Sequence, residues 1–401
     1  MTAPADDDEP ASEPGSTGSV RSVPPASLPA SALLPVPPGI ETAARVLAGV
    51  ARRTRVVRDD RLGAELGVPV WLKCEHEQHT GSFKLRGAYH RVALADPDAR
   101  MRGVVAASAG NHAQGVAYAA AAFGVPATIF VPAGANPIKI ARTRELGARV
   151  EQVPGGVEAA LAAAATFAAA GDRLLVHPFD DPAVIAGQGT IGLELLDQVP
   201  DLHTVLVGVG GGGLVSGIAA AIRAHRPEVR IIGVQSVLAP AFATALRMGR
   251  RVLPAVDARV VGRPCRRPTL PRPLAPSAGR GTIADGMAVR EPGRLTLALA
   301  RTLVDDVVTV DESAFWSAMV WLRRSGIVVE PAGAAPVAAL LRHGELAVGP
   351  TVAVLSGGNI DPAVDARVRA LATPADLATP ADLARTTGVT GPPGMAGSRC
   401  P

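Results

Sequence analysis

The chain has 401 residues, of which 48% are apolar, 3% aromatic and 19% charged, with a formal net charge of +4. That length can bury a large core and form more than one domain, and so small a positive excess leaves no footprint for nucleic acid. Cys74, Cys265 and Cys400 form neither a disulfide framework nor a zinc-ligand spacing, no apolar run reaches membrane-spanning length, and the acidic start (Asp6, Asp7, Asp8, Glu9) lacks signal-peptide order, so a reducing, cytoplasmic setting is expected.

Residues 1–38 are rich in Pro, Ala, Ser and Gly without periodicity and read as disordered. A short helix is expected from Ile40 to about Val50, and a strand from Val68 to Lys73. The segment Thr80-Gly81-Ser82-Phe83-Lys84-Leu85-Arg86-Gly87 then opens a helix to about Leu94, with Leu85, Ala88, Tyr89 and Val92 at helical spacing. Ser82 is the expected N-cap, and Gly81 lets the chain turn. Lys84 falls in the first turn, where the helix dipole disfavours a cation. An amine wanted neutral, as a nucleophile that forms a Schiff base, gives a reason for that position. An ordinary surface lysine is the plain alternative.

A regular alternation follows. Strand Val104–Ser108, the turn Ala109–His112, a helix at 113–123, strand Thr128–Val131, a basic-faced helix at 136–146 and strand Arg149–Val153 predict βαβ units and a parallel sheet. A second run has a helix at about 157–170, strand Leu174–His177, a helix at 182–198, strand Thr204–Val209, helix Leu214–Ala224, strand Arg230–Gln235 and a helix at 240–248. Residues 254–280, Pro-rich with six arginines and no acid beyond Asp257, read as an inserted surface loop. Helices at about 291–304, 311–325 and 334–342, strand Thr351–Leu355 and a short helix to about Ala370 complete the pattern. The tail repeats TPADLA at 373–378 and 379–384 and reads as disordered.

Three strand-to-helix junctions can carry chemistry. Gly208-Val209-Gly210-Gly211-Gly212-Gly213 places backbone N–H groups at a helix start, where a phosphate binds. It also matches GxGxxG, but a dinucleotide site needs an acid at the end of the next strand, and Gln235 stands there. Four consecutive glycines suit a compact phosphate better than a pyrophosphate. Ser108-Ala109-Gly110-Asn111-His112 offers donors suited to a carboxylate, or a plain N-cap. Leu355-Ser356-Gly357-Gly358-Asn359 ends the last strand, beyond which ligands bind in parallel sheets. Thr282–Gly286 and Glu330–Gly333 are loops, uninformative alone.

Taken in order, GSFKLRGA, SAGNHAQG, GVGGGGL, TIADG, EPAGA and SGGNID resemble the serine/threonine dehydratase family of pyridoxal-phosphate enzymes over about residues 40–370. Catabolic threonine dehydratases and serine racemases are the nearest in kind. The resemblance implies an α/β chain of fold type II, tryptophan-synthase β-like, with two three-layer αβα domains and mostly parallel sheets. The large domain would comprise 39–75 plus 171–370, and the small one 76–170, carrying Lys84 and the Asn111 loop; 371–401 would be tail. The cofactor implied is pyridoxal 5'-phosphate. Lys84 would join its aldehyde, Phe83 pack on its ring and Asn111 bond the ring hydroxyl. N–H groups of Gly210, Gly211, Gly212, Gly213 and Leu214 would hold the phosphate, and Ser356 would meet the pyridine nitrogen. Ser82, Ser108, Gly110 and His112 would surround the substrate carboxylate.

The implied reaction is deamination of L-threonine or L-serine by α,β-elimination. Dehydration or β-replacement of another β-hydroxy amino acid, such as 3-hydroxyaspartate, stays open, and a nicotinamide oxidoreductase is a distant third. A hydroxyl partner at Ser356 leaves the ring nitrogen mostly neutral, which favours elimination over transamination. Serine racemases carry a serine where this chain has Ala109, so weak racemase activity is expected. Cation-dependent relatives have carboxylates where Gln235, Ala239 and Ala241 stand, so no metal is expected. Only about forty residues follow SGGN, so no feedback domain is expected. The partners implied are a small amino acid and further copies of the chain, as a dimer or tetramer, with neither nucleic acid nor membrane.

Overall fold

A computed structural model describes residues 39–249 and 281–372. The first strand, β1 (Val56–Arg58), is followed by β2 (Val70–Lys73), β3 (Val104–Ala107), β4 (Ala127–Pro132), β5 (Arg149–Val153), β6 (Leu174–Leu175), β7 (Thr204–Gly208), β8 (Arg230–Ser236), β9 (Asp306–Val310) and β10 (Thr351–Val354). They form two sheets, a six-stranded one in the order β1-β2-β10-β7-β8-β9 and a four-stranded one in the order β5-β4-β3-β6. Every pairing is parallel except β1 with β2. β10 thus sits between β2 and β7, its Thr351 opposite both Val70 and Thr204.

The helices are α1 (Ile40–Leu47), α2 (Asp60–Leu66), α3 (Lys84–Ala93), α4 (Pro97–Met101), α5 (Asn111–Ala122), α6 (Pro137–Glu145), α7 (Val157–Ala170) and α8 (Pro182–Gln198). α9 (Gly213–His225), α10 (Ala241–Gly249), α11 (Arg294–Leu303), α12 (Glu312–Arg324), α13 (Pro331–Arg342) and α14 (Pro362–Leu371) complete the set. Both faces of each sheet are covered, as a parallel sheet requires. Alternate residues of one strand enter different cores. Leu206 and Ala353 pack with Phe315, Met319 and Leu340 of α12 and α13, while Val205, Val207 and Val352 pack with Ile191, Leu195 and Ile218 of α8 and α9. In the smaller sheet Val104 and Ile129 meet Val116 of α5, and Val105 and Phe130 meet Ala160, Ala164 and Ala168 of α7. The scarcity of aromatics fits this geometry, since an alanine stripe every fourth residue seats α7 closely on the strands.

A buried charge cluster ties the lysine-bearing helix α3 to the rest. The Arg86 guanidinium donates to Glu75 at 2.8 and 2.9 Å, to Glu194 at 2.7 and 3.1 Å, to Thr190 Oγ1 at 3.1 Å and to the Arg52 carbonyl at 3.0 Å. Lys73 Nζ pairs with Glu194 and donates to Gln198 Oε1 at 2.8 Å and the Thr54 carbonyl at 2.9 Å. Burial works against the charge on Arg86, but Glu75 and Glu194 more than offset it, and its pKa moves up.

The sequence reading differs from the fold in a few elements. β1, α2, α4 and β9 were not expected; β1 has three residues, too few to show a period. β2 begins at Val70 because Pro69 has no N–H for the ladder. β6 pairs with β3, so the four-stranded sheet runs past residue 170, where the small domain was expected to end. Both sheets lie in one compact unit. The disorder expected at 1–38, the loop at 254–280 and the tail from 373 fall outside the described residues; 371 and 372 instead close α14, with Ala372 buried. No helix among the described residues is long and apolar enough to cross a membrane.

Candidate active site

The Thr80–Lys84 segment lies against the loop after β10. Phe83 N donates to the Ser356 carbonyl at 3.1 Å, Gly358 N donates to the Gly81 carbonyl at 2.8 Å, and Ser82 bridges Gly357 antiparallel. That bridge takes Ser82 away from the expected cap. α3 starts one residue later than a Ser82 cap would give, with Phe83 at its N-cap and no side-chain cap bond. Ser82 is fully buried, and its Oγ and the Thr80 Oγ1 have no partner among the described residues. Lys84 is the first helical residue, so the sequence-based placement in the first turn holds.

The chain has only three lysines, Lys73, Lys84 and Lys139. Lys73 pairs with Glu194 and Lys139 with Asp285, whereas Lys84 Nζ donates to the Pro178 carbonyl at 2.6 Å and lies 5.2 Å from the Phe83 ring centre. Burial lowers the Lys84 pKa to about 8, with Glu330 pulling weakly the other way. A carbonyl partner still accepts from a neutral amine, so the contact survives when this lysine loses its proton. In cofactor-free protein we expect Lys84 to react with trinitrobenzenesulfonate at a rate that rises with pH and levels off above about 8. Peptide mapping of the modified lysine checks this; a rate still climbing past pH 10 would contradict it.

Pro178 leads to Phe179, and Phe179 reaches the glycine turn. A methyl group at Gly211 would run into the Phe179 ring, and Gly212 adopts φ +95, which favours glycine. Thr296 Oγ1 donates to the Gly211 carbonyl at 2.7 Å and fixes the turn from behind. Gly212 caps α9, whose first-turn N–H groups have no intrahelical acceptor and attract an anion. The lysine amine and the glycine turn thus meet at one place.

The Asn111 loop closes the site from the smaller sheet. Ser108 Oγ accepts from Gly110 N at 3.1 Å, and Gly110 caps α5. Asn111 Oδ1 accepts from Asn359 Nδ2 at 2.7 Å, and that same nitrogen donates to the Thr80 carbonyl at 2.9 Å. Asn111 Nδ2 donates to Glu330 Oε1 at 2.6 Å. The sequence reading put His112 around a substrate carboxylate, but its ring is buried and Nε2 bonds the Val176 carbonyl at 2.9 Å. Burial, then Lys84, lower its pKa to about 3, so it carries no positive charge for a carboxylate.

Glu330, the first residue of the EPAGA motif, was given no role by sequence reasoning, and Pro178–Phe179 were not singled out. Glu330 stands immediately before Pro331 at the start of α13 and is 4% exposed. Burial raises its pKa to about 7, helped by Asp285 and opposed by Lys139, Asn111 and Lys84. The Glu-Pro pair marking a helix start was the available signal.

Gln235, fully buried where a dinucleotide site would have an acid, accepts from Ala243 N at 3.0 Å and so caps α10. Among the described residues Cys74, His76 and Glu77 hold donor atoms within 4.8 Å of one another. Arg55 already clamps Glu77, and burial pushes the Cys74 thiol up to about 12, keeping it protonated. The arrangement near Lys84 fits a phosphorylated aldehyde: an amine that sheds its proton, a bare anion-binding helix start, and two buried hydroxyls without partners.

The pyridoxal-phosphate dependent enzyme family model matches residues 47–357. The chain is 45% identical over 313 residues to an L-threonine ammonia-lyase of Geobacter sulfurreducens, covering 77% of this chain and 72% of that protein. Its structure resembles that of the T.th. threonine deaminase, with a TM-score of 0.69 and 37% identity over 80% of this chain and 98% of that one. It also resembles maize serine racemase, with a TM-score of 0.72 and 31% identity over 83% and 96% of the two chains. The chain belongs to the pyridoxal-phosphate-dependent enzymes of fold type II.

Proposed function

We propose that the protein is an L-threonine and L-serine ammonia-lyase, releasing 2-oxobutyrate or pyruvate with ammonia. The observation that carries this reading is Lys84, an amine with its pKa brought down to about 8 beside a glycine turn built for a phosphate, in a chain whose relatives include an L-threonine ammonia-lyase. When bound, pyridoxal phosphate supplies the electron sink that makes Cα–H acidic.

The chain's own residues do the rest. Lys84 would hold the cofactor aldehyde and give way to the substrate amine. N–H groups of Gly210, Gly211, Gly212, Gly213 and Leu214 would bind the phosphate, Asn111 the ring hydroxyl and Ser356 the ring nitrogen. The hydroxyls of Thr80 and Ser82, without partners among the described residues, are ready donors for the substrate carboxylate; Ser108 and Gly110 line the same turn. Lys84 Nζ, freed, takes the Cα proton as general base. The β-hydroxyl gains a proton and leaves as water, and Lys84 Nζ is the chain's own acid at hand. Hydrolysis of the resulting unsaturated amine gives the 2-oxo acid and ammonia, so one water leaves and one enters. Ala109 has no group that moves a proton, which argues against a racemase despite the structural likeness.

A division into a small domain on the four-stranded sheet, reaching β6, and a large one on the six-stranded sheet is part of this proposal, as are a cytoplasmic location and assembly into a dimer or tetramer. Exposed Val237 and Leu238 after β8 suit contact with another copy.

The test is a panel of L-threonine, L-serine and 3-hydroxyaspartate with the cofactor-loaded protein, measuring ammonia and 2-oxo acid. We expect the two products in equal amounts from L-threonine and L-serine. Turnover of 3-hydroxyaspartate alone, or none at all by protein that binds the cofactor, would overturn the assignment.

A further inference from the structure

We propose that Glu330 is a positioning residue, which fixes the edge that the Asn111 amide presents to the cofactor. The inference rests on the proposed role of Asn111 and concerns a residue two steps from the chemistry. A carboxamide has a donor edge and an acceptor edge of nearly the same shape, so a site that needs only one of them must prevent the other from turning in. Asn111 is held at both ends. Its Nδ2 donates to Glu330 Oε1 at 2.6 Å, and its Oδ1 accepts from Asn359 Nδ2 at 2.7 Å. Turning the amide over would set two NH₂ groups face to face, since Asn359 Nδ2 is held by the Thr80 carbonyl, and would press the Asn111 oxygen on the Glu330 carboxyl whenever that group is ionised.

Asn359 is itself oriented. Its second N–H goes to the Thr80 carbonyl at 2.9 Å, and its Oδ1 receives a longer bond from Arg142 Nη1 at 3.3 Å. The two amides therefore run in one direction, from a cation at Arg142 to a carboxyl at Glu330. With one Nδ2 hydrogen on Glu330, Asn111 keeps one N–H to give to a ring hydroxyl. A ligand oxygen there meets a donor and never a carbonyl.

The fold makes room for this pair. A side chain at Gly357 would run into Glu330 Oε1 and stand 3.1 Å from Asn111 Nδ2. The Glu330 backbone is pinned as well, its N–H donating to the Gly357 carbonyl at 3.1 Å and its carbonyl accepting from Ala334 N at 3.1 Å. A buried acceptor held this firmly costs stability unless a donor meets it. Asn111 is that donor.

The test compares Glu330→Met, Glu330→Gln, Asn359→Ala, Asn111→Ala and the Glu330→Met/Asn111→Ala double variant with the parent protein. Cofactor-free protein is titrated with pyridoxal phosphate, and the dissociation constant and the absorption band of the bound cofactor are recorded. Asn111→Ala should weaken binding about tenfold and displace the band, the loss of one strong hydrogen bond. Glu330→Met should do nearly the same, Asn359→Ala less, and the double variant no more than Asn111→Ala alone. Glu330→Gln, whose Oε1 still accepts from Asn111, should stay within about threefold of the parent.

If Glu330→Met binds and absorbs like the parent while Asn111→Ala does not, the inference is wrong and the reading of Asn111 survives. Additive losses in the double variant would sink it too. If Asn111→Ala itself changes neither quantity, the reading of Asn111 falls, and the inference with it. Should Glu330→Met fail to fold, Asn359→Ala decides from the other edge: parent-like binding and absorption would refute the arrangement.

Discussion

Lys84→Ala is expected to abolish release of ammonia and 2-oxo acid, with kcat falling about 10⁴-fold, the upper range for removal of a general base. Lys84→Arg should be equally inactive, since a guanidinium never becomes neutral in this pH range. Both variants should fold, because Lys84 is partly buried, has no carboxylate partner and makes a single bond to the Pro178 carbonyl. The measurement is steady-state 2-oxobutyrate formation from L-threonine, with circular dichroism as the control for folding. A Lys84→Ala enzyme keeping a tenth of the parent rate would remove this residue from the chemistry.

The second large effect concerns stability. Arg86→Met should destabilise the protein by about 3–5 kcal/mol, because it leaves the buried Glu75 without its paired guanidinium, while Glu194 keeps Lys73. Glu75 is fully buried and held below the usual carboxylate range: burial opposes its charge, but Arg86 overrides that. Adding Glu75→Gln to Arg86→Met should recover part of the loss, since the stranded charge is then gone. Urea unfolding of the cofactor-free proteins reads both effects. An Arg86→Met protein as stable as the parent would mean that the cluster contributes nothing net to folding.

The strands and helices that carry chemistry were legible because each combines a β-branched run with a glycine turn and a helical period. The Gly210–Gly213 junction is the clearest case, and α9 begins there as expected. β9 escaped notice although Asp306-Val307-Val308-Thr309-Val310 has the right composition, because helices on both sides crowded it. Ser82 misled for a different reason. A serine three residues before an apolar run is a cap by local rules, but its backbone pairs with Gly357, some 275 positions away, as no local rule can foresee. His112 is similar: only the Val176 carbonyl, brought near by folding, shows the ring to be a buried donor. Glu330 escaped because its partner lies 219 residues earlier in the chain.

The position of β10 has a bearing on how the molecule is made. Its strand fills the gap between β2 and β7, yet among the described strands it is the last to leave the ribosome. Until Thr351 to Val354 emerge, the two halves of the larger sheet have no seam, and β2 and β7 each offer a bare edge to passing chains. The smaller sheet, drawn from the continuous stretch 104–175, can assemble well before that. Nascent chains stalled short of residue 350 should therefore protect the alanine-rich helix of the smaller sheet from protease while leaving the larger sheet open to digestion and in need of a chaperone.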